Sequence, residues 1–108
     1  MSRKRKSRQR HFIVVWEFQI PPRKKRAFEK AYGPTGDWVE LFSAAKGFVR
    51  TELLRDRDTP GRYLTIDYWQ SRQAFAAFKK KKSVAYEALD QKCSGLTQSE
   101  SKLGEFES

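Results

Sequence analysis

The segment FIVVWEFQI, residues 12–20, carries apolar side chains in both phases of a two-residue alternation. In an extended strand Phe12, Val14, Trp16, Phe18 and Ile20 share one face, while Ile13 and Val15 open the other. RYLTIDYW, residues 62–69, repeats the pattern, with Leu64, Ile66 and Tyr68 on one face and Tyr63 and Trp69 on the other. The helical segments available to so short a chain blanket only one face of a sheet. The second face needs its own cover, and another copy of the chain supplies it, so a homodimer is expected.

A chain of 108 residues is one domain with a modest core, and its 14% aromatic content supplies much of the buriable area. One cysteine, Cys93, excludes an internal disulfide and a cysteine-based zinc site, and one histidine, His11, argues against a histidine-rich metal site. A reducing, cytoplasmic setting fits this composition. The net charge of +10 is unevenly placed: residues 1–10 hold six of the 23 cations and no acid. They read as a disordered basic N-terminal arm that binds polyanions weakly and without sequence preference, ahead of a folded domain at 11–107. Glu17 interrupts the apolar run that follows the arm, and nothing approaches the roughly 20 apolar residues of a membrane span, so no membrane association is expected.

Along the chain, Pro21 and Pro22 end the first strand, and Pro22 suits the opening of a helix striped by Ala27, Phe28, Ala31 and Tyr32. Gly33 and Pro34 stop it. Asp37, with Glu40 three residues on, forms a capping-box pattern for a second short helix that buries Trp38, Leu41, Phe42 and Ala45, and Gly47 suits a left-handed position after it. Phe48 to Asp56 and Arg62 to Trp69 read as strands around a turn at Asp58 to Gly61. Ser71 caps a helix carrying Ala74, Phe75, Ala77 and Phe78, which breaks near Lys82 and restarts through Leu89 and Cys93. Thr97 to Phe106 is a weak, edge-like strand. Right-handed crossovers on this order give an α+β, ferredoxin-like split βαβ domain (β-α-β-β-α-β with interrupted helices).

KGFVRTELLRD (46–56), PGRYLTIDYW (60–69) and SRQAFAAF (71–78), with YGPTGDWVELF (32–42) and SESKLGEF (99–106), resemble the antibiotic biosynthesis monooxygenase family. The resemblance implies ferredoxin-like domains paired into a dimeric α/β barrel. It also implies one of two chemistries. Some members oxidise phenolic or anthrone-like rings with O₂ and no metal or flavin, the substrate's own enolate activating oxygen. Others bind and degrade haem with an Asn, a Trp and a His. Trp69 matches that tryptophan, but the chain has no asparagine, and His11, at the start of the first strand, does not match the helical ligand position. The anthrone-type members also use polar residues, including an Asn, so that set is incomplete here too. The reading taken from the resemblance is a cofactor-independent monooxygenase-like protein for a small aromatic or polyketide-like compound, with O₂ as co-substrate. A non-catalytic binding module for a small hydrophobic ligand is the alternative from another class.

Asp67 lies in a doubly buried strand on the face of Tyr63 and Trp69, where desolvation disfavours its charged form and suits it to accept a proton. Glu17, between Trp16 and Phe18, is a second such carboxylate. For both, an ion pair with an arginine such as Arg50 or Arg55 is the competing structural reading. Tyr63 is a candidate hydrogen-bond donor to substrate, and Trp16, Trp38, Trp69 and Phe75 are candidate pocket walls, although each also suits the core. Lys79–Lys82 falls where a helix C-terminus favours cations, and Arg23–Arg26 reads as a solvated surface. The KGFV start at Lys46 matches an RNA-recognition signature for three positions only. Arg50 then stands where an aromatic should stack a base, so nucleic acid is not expected as the specific partner.

Overall fold

The computed structural model describes residues 10–108, so the basic arm lies outside the described residues apart from Arg10. Four strands, β1 (Phe12–Gln19), β2 (Phe48–Arg55), β3 (Arg62–Trp69) and β4 (Ser99–Glu107), form one antiparallel sheet in the order β2-β3-β1-β4. The crossovers are two helix pairs, α1 (Lys25–Tyr32) with α2 (Asp37–Phe42), and α3 (Arg72–Lys81) with α4 (Ser83–Cys93). This is the expected ferredoxin-like α+β arrangement.

The two-residue alternation sorts the sheet as expected. Phe12, Val14, Phe18 and Ile20 from the first strand segment, with Tyr63 and Trp69 from β3, are buried on the helix side. They meet Phe28, Ala31 and Tyr32 of α1, Trp38 and Phe42 of α2, Phe78 of α3 and Cys93 of α4. The core is mostly aromatic, and most of its rings meet tilted or edge-on, such as Phe42–Trp69 at 5.4 Å and Trp38–Tyr86 at 5.1 Å, while Phe28 and Tyr32 stack at 4.4 Å.

The opposite face carries Ile13, Val15, Leu64, Ile66 and Tyr68 without a helix over it. Charged groups there are tied to one another. Arg62 bonds Glu17 at 2.5 Å and Asp56 at 2.9 Å, and the Arg50 guanidinium lies 3.8 Å from the Tyr68 ring centre.

Irregularities fix the register. β2 bulges between Phe48 and Arg50, so Phe48 (opposite Trp69) and Thr51 (opposite Asp67) both reach the helix side despite an odd spacing. β4 bulges opposite Val15 and Trp16. Between β2 and β3, Asp56 Oδ1 accepts from the backbone N–H groups of Asp58 and Thr59, and Gly61 takes φ 82°, which only glycine adopts freely.

Local details depart from expectation at two places. The capping box at Asp37 does not form: Gly36 is the cap residue, Asp37 is the first helical residue, and its carboxylate meets Lys92 at 3.4 Å instead. A carboxylate in the first turn still complements the helix dipole. Gly47 is not left-handed; among the described glycines only Gly61 has positive φ. Gly47 serves close approach, since a Cβ there would lie 2.3 Å from Cβ of Ala74 on α3. The Ser71 cap does form, with Oγ accepting from the Ala74 N–H at 3.1 Å, and the helix breaks at Lys82.

Trp69 is fully buried and touches Phe42, Phe48, Phe75 and Phe78. Trp69→Ala is expected to cost about 3–5 kcal/mol of unfolding free energy in urea titrations. Val84→Ala, at a site 83% exposed, should stay within about 0.5 kcal/mol of the parent.

Candidate functional site

The helix-facing side of the sheet is not filled along its whole length. Between its middle and helices α2 and α4 lies a cavity of about 60 Å³. Its floor is polar, formed by Thr51, Thr65 and Asp67, all buried. Its walls are aromatic, with Trp16 and Phe18 from β1, Tyr32 from α1, Trp38 and Phe42 from α2 and Tyr86 from α4. Two exposed carboxylates, Asp90 and Glu100, complete the lining.

Each position follows from local rules. Thr51 and Asp67 are partners across β2 and β3, which brings the Thr51 hydroxyl to donate to Asp67 Oδ1 at 2.7 Å. Thr65 is two residues back on the same face. Tyr86 and Asp90 stand four apart on α4 and so share one side of it. Glu100 lies opposite Phe18 in the β1–β4 ladder.

Electrostatics set Asp67 apart from the other lining carboxylates. Burial pushes its carboxyl up to about 6, against a partial offset from the Thr51 hydroxyl. Its second oxygen has no donor among the described residues. The group is therefore ionised near neutral pH and close to the range in which a general base works best. Tyr86 is pushed up to about 12 by burial and then by Asp90, Asp67 and Glu100. Tyr32 is raised by burial and by Cys93. Both phenols thus stay protonated and able to donate. Glu100 is raised by partial burial and by Asp90. The buried indole N–H of Trp38, beside the cavity, lies toward the Tyr32 hydroxyl and the Cys93 sulfur without a well-formed hydrogen bond to either.

The volume bounds what enters. An apolar cavity of roughly 150 Å³ takes one benzene, whereas a site for one water needs roughly 10–15 Å³. About 60 Å³ therefore holds a few waters, and an aromatic ring enters only as wall side chains give way.

Of the residues singled out in the sequence, Asp67, Trp16 and Trp38 come together at this cavity. The others do not line it. Glu17 faces the opposite side of the sheet, in an ion pair with Arg62 and not with Arg50 or Arg55. Tyr63 is on the helix side, but its hydroxyl is bound to Glu29 of α1. Trp69 is sealed in the core, and Phe75 packs against Phe12 and Trp69. Sequence reasoning did not find Tyr32, Thr51, Thr65, Tyr86, Asp90 or Glu100 as lining residues. The four-residue spacing of Tyr86 and Asp90 was a readable signal. The Thr51–Asp67 pairing was not, because it depends on the bulge at Val49.

Among the described residues, no group of His, Cys, Asp and Glu is placed to hold a metal ion, and no helix is long and apolar enough to cross a membrane. No curated protein matches the sequence. Solved structures match along most of the chain. A candidate antibiotic biosynthesis monooxygenase from Bordetella bronchiseptica superposes with a TM-score of 0.70 at 16% identity, covering 93% of this chain and 96% of the other. SO0527 from Shewanella oneidensis gives 0.66 at 20% identity, covering 94% and 93%. A variant of SnoaB, a cofactor-independent oxygenase from Streptomyces nogalater, gives 0.63 at 22% identity, covering 89% and 90%. At such identities the likeness establishes the fold. The sequence itself matches the model of one family over residues 11–85, well over half its length, and on that match the chain belongs to the antibiotic biosynthesis monooxygenase family.

Proposed function

We propose that the protein is a cofactor-independent monooxygenase of small phenolic or polyketide-like compounds, with Asp67 as the base. The observation that carries this reading is a buried carboxylate, hydrogen-bonded on one oxygen only, in an aromatic-lined cavity. Membership of the family, and a fold shared with an oxygenase described as cofactor-independent, support it.

In this scheme Asp67 takes a proton from an acidic ring position, leaving an electron-rich enolate or phenolate. That anion reduces O₂ itself. For an activated ring CH₂ that becomes C=O, one oxygen atom enters the product and the other leaves as water. All four electrons come from the substrate, so no external reductant is required. Tyr86 is the donor available to the developing oxyanion, with the Trp38 N–H beside it, while the Tyr32 hydroxyl lies against Cys93. Trp16 and Trp38 form walls. The donor role that Tyr63 would fill passes to these groups, because its own hydroxyl is engaged by Glu29.

The uncovered sheet face supports a homodimer joined through Ile13, Val15, Leu64 and Ile66. Sedimentation at micromolar concentration should give about twice the 12.7 kDa chain mass. Ile66→Asp should yield a monomer of lower stability, because folding and association are linked. A monomeric parent protein would discard the interface.

O₂ uptake with a panel of hydroxylated aromatics tests the enzyme reading against a non-catalytic binding module, for which no substrate would raise uptake. Turnover should rise as pH increases through about 6, where Asp67 ionises, and level off above it. Asp67→Asn should lower turnover by about 100-fold or more.

The same substitution separates catalysis from folding. Because the native carboxyl holds its proton more tightly than an unfolded one, stability falls as pH rises from the unfolded value, near ~4, to about 6 and stays lower above it. Asp67→Asn should therefore raise stability at pH 7–8, by an amount on the order of 1–3 kcal/mol. Below the unfolded carboxylate range, near ~4, the gain should disappear. A variant that loses both activity and stability at pH 8 would count against a strained, functional carboxylate.

A further inference from the structure

The charge around the cavity runs against the rest of the molecule. The chain has 23 lysines and arginines against 13 acids. Glu17, Asp37, Glu52, Asp56, Asp58 and Glu105 each sit within ion-pair distance of a cation. Glu29, Glu40, Glu87 and Glu107 have no such partner among the described residues, and neither do Asp67, Asp90 and Glu100, but these last three converge on one cavity. No lysine, arginine or histidine lines the cavity. Lys79 comes near, 4.5 Å from the Tyr86 ring centre, without joining the lining.

Unpaired carboxylates gathered beside aromatic faces are the pattern that receives an organic cation. Ring faces attract ammonium groups, and carboxylates add charge-assisted hydrogen bonds. A second argument comes from the chemistry. Ionising a neutral substrate here, with Asp67 taking up the proton, would place the new negative charge beside the carboxylates of Asp90 and Glu100, which opposes the step. A positive charge on the substrate removes that opposition. The crowding of like charge is visible in the protein's own groups, since Asp90 raises Glu100, and Asp90, Asp67 and Glu100 all raise Tyr86.

We propose that the ligand of this cavity carries a protonated amine, held against the aromatic walls by Asp90 and Glu100 while its phenolic or enolic end meets Asp67. This rests on the reading of the cavity as the ligand site. It deepens that reading by naming the substrate class, an amine-bearing phenol or enol in place of a neutral or acidic one.

Tyramine, 4-ethylphenol and 3-(4-hydroxyphenyl)propionate share a phenol and differ chiefly in the charge of the side-chain end. Titration of each into the full-length chain, followed by backbone amide NMR shifts at Thr65, Asp67, Tyr86 and Asp90, separates charge from ring. Tyramine should bind about tenfold or more tightly than 4-ethylphenol, with the carboxylate weakest. In the doubly substituted Asp90→Asn, Glu100→Gln protein, whose changes are both at exposed positions, that preference should fall to about twofold or less while binding of 4-ethylphenol holds. Equal affinities, a preference for the carboxylate, or no shift at these residues with any of the three would overturn the proposal. So would an amine preference that survives the double substitution. Tyramine binding as described, with no O₂ uptake from any amine-bearing compound that has an activated ring CH₂, would remove the monooxygenase reading and leave this inference standing.

Discussion

The contact of Trp69 with the helix layer is what the rest of the structure hangs on. Its ring touches Phe42 of α2, Phe48 at the start of β2, and Phe75 and Phe78 of α3. One side chain at the end of the central strand β3 thus joins both helix pairs to the sheet. It also fixes which phase of β3 is inward. Once Trp69 is buried, Tyr63, Thr65 and Asp67 must point the same way, because alternation leaves no other choice. Asp67 is buried as a consequence of where the tryptophan packs.

That placement carries an energetic burden. A carboxylate under an aromatic layer is disfavoured as an ion, and an ordinary protein relieves this with an arginine or several N–H donors. Glu17 shows the ordinary solution one strand away: it lies on the open face and is bound by Arg62. Asp67 has one hydroxyl partner and no cation, although the chain has cations in excess. What sets Asp67 apart is burial: among the described residues it is the one acid enclosed with a single hydrogen-bond partner.

The two faces of the sheet divide the work. The helix face holds the core and the cavity. The open face holds aliphatic side chains bordered by the Arg62–Glu17–Asp56 cluster and by Arg50 over Tyr68. A surface of that composition, apolar at the centre and charged at the rim, resembles an association surface more than a solvated one. The bulges in β2 and β4 bend the edge strands and bring Thr51 to Asp67 without disturbing the apolar alternation of β1 and β3.

The sequence by itself determined the order of elements, the phases of β1 and β3, the Ser71 cap and the helix break at Lys82. These depend on neighbours within a few residues, where period and capping chemistry decide. It also identified Asp67 as a carboxylate among inward-facing aromatics. It ranked Glu17 beside Asp67, although the phase of β1 already put Glu17 on the face of Ile13 and Val15. It could not show that no helix covers this face or that Arg62 reaches Glu17 there, both decided by tertiary structure. Nor could it find that Tyr63 is engaged by Glu29, which lies 34 positions earlier. Gly47 and Asp37 were misread for a related reason: their roles are set by Ala74 and Lys92, partners distant in the chain. The cavity itself was decided only by tertiary structure. Its floor, walls and mouth come from strands and helices throughout the chain, and a one-residue bulge sets which hydroxyl reaches the buried acid. Alternation is written in local sequence; convergence is a property of packing.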